Sequence, residues 1–197
     1  LYGRCGKNIQ TINNKESSSG QLIKGDCMRL RIVNCPDKDF KPIVERAASF
    51  FAKELIPNTR VRNHCFTKIR FNAKILEYGY ASVEEYNTRN QPREFLMEIH
   101  PGIGARDILS TIAHEMVHIK QYIDGELNEE MSYWKGKSVD SDKMEYWYSP
   151  WEVDANGLEV GLITKFAVAE CLWEVLDGFK NPATPIVSIP IRWKKRK

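Results

Sequence analysis

The chain has 197 residues, 42% hydrophobic and 28% charged, which suits one globular domain with a real core, or one domain with a long arm. No run approaches the roughly eighteen uninterrupted apolar residues of a helical membrane span, so no membrane partner is expected. The formal net charge is +3, but Arg192, Lys194, Lys195, Arg196 and Lys197 supply five positive charges and the rest stands at −2, so a nucleic acid could engage only that basic tail.

Residues 1–28 are polar and turn-rich and read as an N-terminal arm. Leu30 and Ile32 alternate with Arg29, Arg31 and Val33, a short strand signal. Ile43, Val44, Ala47, Phe50, Phe51 and Leu55 then fall at helical spacing, and Pro57 closes that segment. Residues 60–71 read as a strand with Cys65, Thr67, Ile69 and Phe71 on one face. Residues 73–92 are ambiguous, partly helical and then a loop. Alternation returns over 93–100 as a half-buried strand, which Pro101 and Gly102 break.

A helix follows. Ala105, Leu109, Ile112, Met116, Ile119 and Ile123 form an apolar seam; Thr111, His114, His118 and Gln121 form a second stripe, and Gly125 is placed to end the helix. Residues 126–148 have no helical period but carry Tyr133, Trp134, Tyr146, Trp147 and Tyr148, aromatics suited to the apolar wall of a substrate cleft. Ser149-Pro150-Trp151-Glu152 opens a long apolar helix expected to reach about Phe179. This order predicts an α+β fold with a small, mostly antiparallel sheet, in a domain over 29–180 followed by a basic tail at 181–197.

Five scattered cysteines (Cys5, Cys27, Cys35, Cys65, Cys171) without a C-x-x-C pair read mainly as free thiols in a reducing compartment, the cytoplasm. The alternative is one bridge among the first three, in a secreted or virion-associated protein.

The chemistry lies in His114-Glu115-Met116-Val117-His118, an H-E-x-x-H pattern. On a helix the two histidines sit one turn apart on one face and can share a Zn²⁺, while Glu115 can move the proton of an attacking water. A catalytic zinc takes a third protein ligand, and the remaining histidines, His64 and His100, both precede the motif. A third His six residues on, as in metzincins, and a downstream His, as in SprT-type proteins, are therefore excluded. A carboxylate from the next helix fits, and Glu152, 34 residues after His118, is the leading candidate, with Asp154 and Glu159 as rivals. Ser149 and Glu152 also spell a capping box, so Glu152 has a purely structural alternative. Asn156, one turn past Glu152, could accept the outer N–H of a ligand histidine, and Gln121 would face the site or solvent.

His114-Glu115-x-x-His118-x-x-Gln121 followed by Glu152-x-Asp154-Ala155-Asn156 resembles a small gluzincin, a zinc metallopeptidase with Glu as third ligand. It is similar to ImmA/IrrE-type proteins and to phage-encoded minigluzincins with a Pro-Trp-Glu segment. The resemblance covers roughly residues 93–165. It implies a zincin-like fold in which the sheet packs on the active-site helix and a second long helix carries the third ligand. It also implies one catalytic Zn²⁺ on His114, His118 and Glu152, and hydrolysis of peptide or protein substrates through a metal-activated water with Glu115 as general base. The strand at 93–99 would be the sheet edge that receives an extended peptide. A tyrosine of the excursion, Tyr133, Tyr146 or Tyr148, would stabilise the oxyanion. The alternatives are a regulatory or DNA-associated protein acting on one dedicated partner, and a non-enzymatic binding protein stapled by zinc.

Overall fold

In the computed structural model residues 27–172 are described; the expected arm, apart from Cys27 and Met28, and the basic tail lie outside the described residues. Strand β1 (Arg29–Val33) leads to helix α1 (Lys41–Leu55), which buries Ile43, Val44, Ala47, Ala48, Phe51 and Ala52. The expected strand over 60–71 begins later. Asn58 caps the backbone N–H of Val61 at 3.2 Å and starts a short helix, α2 (Thr59–His64), whose buried Arg62 bonds the Ile56 carbonyl. A capping Asn after Pro57 thus outweighs the strand-like alternation. Strand β2 (Phe66–Phe71) follows, with Thr67, Ile69 and Phe71 buried.

Residues 79–86, ambiguous in sequence, form strand β3 (Gly79–Tyr86), hairpinned to β4 (Pro92–Ile99). Irregular pairing around Glu85 breaks the period-2 signal, which is why alternation fades there. The sheet order is β1-β2-β4-β3. β1 and β2, and β2 and β4, pair in parallel, and only β3 runs antiparallel, so the sheet is mixed where a mostly antiparallel one was expected. β4 is consequently an inner strand, and the edge expected at 93–99 is β3 instead.

Helix α3 (Ala105–Ile123) packs on β3 and β4, with α1 beside it; α4 (Pro150–Ala169) packs against α3 and α1. Gly125, at φ +67°, ends α3 as expected, with the N–H of Glu126 returning to the Gln121 carbonyl. α4 stops well short of Phe179. Cys171 takes φ +52° and the N–H of the buried Leu172 bonds the Ala167 carbonyl, a helix-ending turn made without glycine. Between α3 and α4 the chain forms a two-residue hairpin, β5 (Tyr133–Trp134) with β6 (Lys137–Ser138), and two 3-10 turns, Ser141–Lys143 and Tyr146–Tyr148. Among the described residues, Cys27, Cys35 and Cys65 are free thiols. Among the described residues, no helix is long and apolar enough to cross a membrane.

The fit of β3 against α3 depends on Gly79. A Cβ there would lie 2.6 Å from Thr111 Cγ2 and 2.8 Å from the Glu98 carbonyl oxygen. Gly79→Ala should therefore destabilise the fold by about 1–3 kcal/mol, the usual cost of overpacking, read as a lower urea midpoint at unchanged slope. An unchanged midpoint would show that β3 and α3 can separate freely.

Candidate metal centre

α3 is buried around most of its circumference: the stripe holding Thr111, His118 and Gln121 is as inaccessible as the apolar seam. The reason is α4, which lies over that stripe. Its first turn carries Trp151, 2% exposed, and Glu152, 1% exposed. Trp134 of the hairpin packs edge-on against Trp151 with ring centroids 6.4 Å apart, so the excursion seats the start of α4.

Three donor groups converge between the helices. His114 Nε2 lies 3.1 Å from His118 Nε2 and 3.2 Å from Glu152 Oε2, and His118 Nε2 lies 3.3 Å from Glu152 Oε1. A tetrahedral ion with bonds of about 2.0–2.1 Å would set its ligand atoms about 3.3–3.4 Å apart. Glu152 Oε1 is moreover fully buried with no hydrogen-bond partner, a costly arrangement unless a cation is shared.

The outer hydrogen bonds fix which ring atoms carry protons. Gln121 Nε2 donates to the Trp151 carbonyl at 3.1 Å and to Asp154 Oδ2 at 3.0 Å, both pure acceptors, so its amide orientation is forced. Gln121 Oε1 must then accept from His118 Nδ1, 2.9 Å away. His114 Nδ1 faces the Glu159 carboxylate at 3.2 Å and is a donor likewise. Both histidines thus turn Nε2 lone pairs toward each other and toward Glu152. Such an array requires a positive charge, and a metal ion or a proton can supply it. Burial disfavours a charged His114, but its contacts with Glu152 and Glu159 prevail and push it up to about 10. Burial would raise Glu152, yet its contacts with His114 and His118 hold it down at about 2.

The capping-box alternative for Glu152 is not realised. Ser149 makes no side-chain cap, its hydroxyl donating instead to the Tyr146 carbonyl, and the Glu152 carboxylate turns to the histidines. Neither rival joins the donor set: Asp154 orients Gln121, and Glu159 holds the outer face of His114. Asn156 does not serve a histidine, as its Nδ2 donates to the Glu152 carbonyl at 2.8 Å. Tyr146 hydrogen-bonds Glu152, and burial followed by that carboxylate's charge keeps its phenol protonated well above the ordinary value. Tyr148 is 73% exposed and lies outside the cleft lining, as does Tyr133.

Beside the cluster opens a cleft of about 370 Å³, reached by Glu115, Tyr146 and Trp147, and by residues 76–79 on the approach to β3. Glu115 is buried, which raises its pKa against the influence of the two histidines, and it accepts the Ala81 backbone N–H from β3. The sequence reading missed the roles of Glu159 and Asp154, the Ala81 contact, and the share of 76–79 and Asp107 in the cleft. Glu159 lies seven residues past Glu152, two turns on along the same face, and could have been found by that spacing. Comparison with protein-family models, curated proteins and solved structures gave no match to this chain.

Glu152→Ala should abolish tight zinc binding, whereas Glu159→Ala should keep zinc but bind it about 10–100-fold more weakly, as expected for loss of an outer hydrogen bond; equilibrium dialysis against a chelator series separates the two. Zinc must also displace the proton that His114 holds below about pH 10, so affinity should fall as pH falls. Titration calorimetry at pH 7 in buffers of different ionisation enthalpy should show net proton release; none would contradict the charged His114.

Proposed function

We propose that the chain is a zinc-dependent endopeptidase of zincin-like fold, binding one Zn²⁺ through His114, His118 and Glu152. The observation that carries this reading is the position of Glu115, which follows His114 directly in sequence, lies between the two histidines of the helix, and reaches the open cleft while remaining buried. Zinc, when bound, supplies Lewis-acid polarisation of a scissile carbonyl and lowers the pKa of the attacking water.

The protein's own groups complete the chemistry. Glu115 takes the proton of the attacking water and passes it to the leaving amine. Burial raises the pKa of this carboxylate, which makes it a stronger proton acceptor than an exposed one. The Ala81 N–H holds Glu115 in one orientation and ties it to β3. Among the described residues β3 has no strand on its outer side in the sheet, and Gly79 at its start lines the cleft, so an extended peptide added to this edge would run past the site. Tyr146 lines the cleft with its phenol protonated, and by turning its O–H from Glu152 it would donate to the developing oxyanion.

The test compares the wild type with Glu115→Gln, measuring zinc content and hydrolysis of an unstructured protein. Both should bind one zinc, and the variant should hydrolyse about 10²–10⁴-fold more slowly. Equal rates would remove Glu115 from the mechanism. Zinc binding with both proteins inert would instead favour action on a single dedicated partner.

A further inference from the structure

We propose that the cleft selects a lysine or arginine side chain of the peptide next to the bond to be cut, and that Glu77 and Asp107 receive its charge. This rests on the peptidase reading and adds the class of substrate. Besides Leu76 and the metal-site His114, the cleft lining contains carboxylates, aromatics and small polar groups, and among the described residues no lysine or arginine. The charge of a bound divalent ion offsets Glu115 and Glu152, and Glu159 is engaged by His114. Glu77 and Asp107 are left over. Both are exposed, and none of the salt bridges among the described residues engages either.

Several carboxylates elsewhere are bridged by a cation of the chain, while others, such as Glu45 and Glu84, are unbridged among the described residues but lie outside the cleft. Glu126 is bridged by Lys120 and Lys135, Glu54 by Lys165, Glu98 by Arg70 and Glu170 by Arg46. What distinguishes Glu77 and Asp107 is their place in the cleft lining, where an incoming molecule meets their charge. Asp107 lies in the first turn of α3.

The aromatic residues argue for the same ligand. Tyr78 and Trp147, 53% and 49% exposed, line the cleft, the Trp147 ring packing edge-on against Tyr146. A lysine or arginine has an aliphatic stem that can lie on such rings and a cation that their faces attract. A purely apolar side chain would cover the rings but strip water from Glu77 and Asp107 without pairing them, and an acidic one would be repelled. The apolar wall expected from the excursion is therefore half of the pocket, and the acids from residue 77 and from α3 complete it.

The experiment uses zinc-loaded Glu115→Gln protein and fluorescein-labelled neutral octapeptides, each carrying one arginine, norleucine or glutamate scanned through the sequence. Anisotropy should give at least one arginine position bound about tenfold or more tighter than the matching norleucine peptide, with glutamate weakest. The preference should shrink at high salt, because the receiving carboxylates are exposed. It should also shrink in Glu77→Gln and Asp107→Asn, singly and together, with zinc content as the check on folding. Equal binding of arginine and norleucine peptides, a preference that survives both substitutions, or no binding by any peptide would overturn the proposal. An arginine preference in a wild type that cleaves nothing would leave this proposal standing and remove the peptidase reading. Cleavage of all three peptide classes at equal rates would do the reverse.

Discussion

Two imidazole nitrogens 3.1 Å apart, each facing one oxygen of a single carboxylate at 3.2–3.3 Å between two packed helices, repel one another and that carboxylate unless a positive charge lies among them. Much of the surrounding structure can be understood as what holds them there. The His114 and His118 rings cannot rotate away, because Glu159 and Gln121 grip their outer nitrogens. Glu152 cannot swing out to cap its helix, because Trp151 beside it is buried and packed on Trp134. The site is prepared in advance, so binding a cation costs little reorganisation and gives back the unpaired Glu152 oxygen.

The hydrogen bonds that orient the histidines run outward to the excursion between α3 and α4. Gln121 is held by Asp154, and Asp154 lies 3.6 Å from Lys135 of the hairpin turn, which also approaches Glu126. The excursion thus does three things at once: it seats Trp151, supports the Gln121 orientation through Asp154, and delivers Tyr146 to the cleft. On the opposite wall the sheet does the corresponding work. Gly79 lets β3 approach Thr111 closely enough for the Ala81 N–H to reach Glu115.

Much of this was legible in the residues. The α3 seam, its end at Gly125, the pairing of His114 with His118 and the choice of Glu152 all follow from helical spacing and from the absence of any histidine downstream. Other parts were not. Glu115 touches a backbone amide in β3, and no side-chain pattern announces a main-chain donor. The β3 strand itself was hidden by its irregular pairing at Glu85, and α2 by a cap that only one residue, Asn58, signals. The end of α4 at Ala169 was obscured because a cysteine, not a glycine, takes the left-handed turn.

What the sequence determined by itself is chemical identity at fixed local spacing: two histidines one helical turn apart, an acid between them, and a glutamate opening the next long helix. Those relations survive any packing, because helix geometry sets them within a few residues. What only the tertiary structure decided is orientation across elements. Asn156 and Glu159 stand on the same helix, three residues apart, yet Glu159 reaches His114 and Asn156 turns back on the Glu152 carbonyl. The rotation of α4 against α3 makes that choice, and it comes from packing around Trp151 and Ala155. Likewise β3, not β4, became an edge strand among the described residues, because strand order depends on long-range pairing that alternation within a strand does not encode.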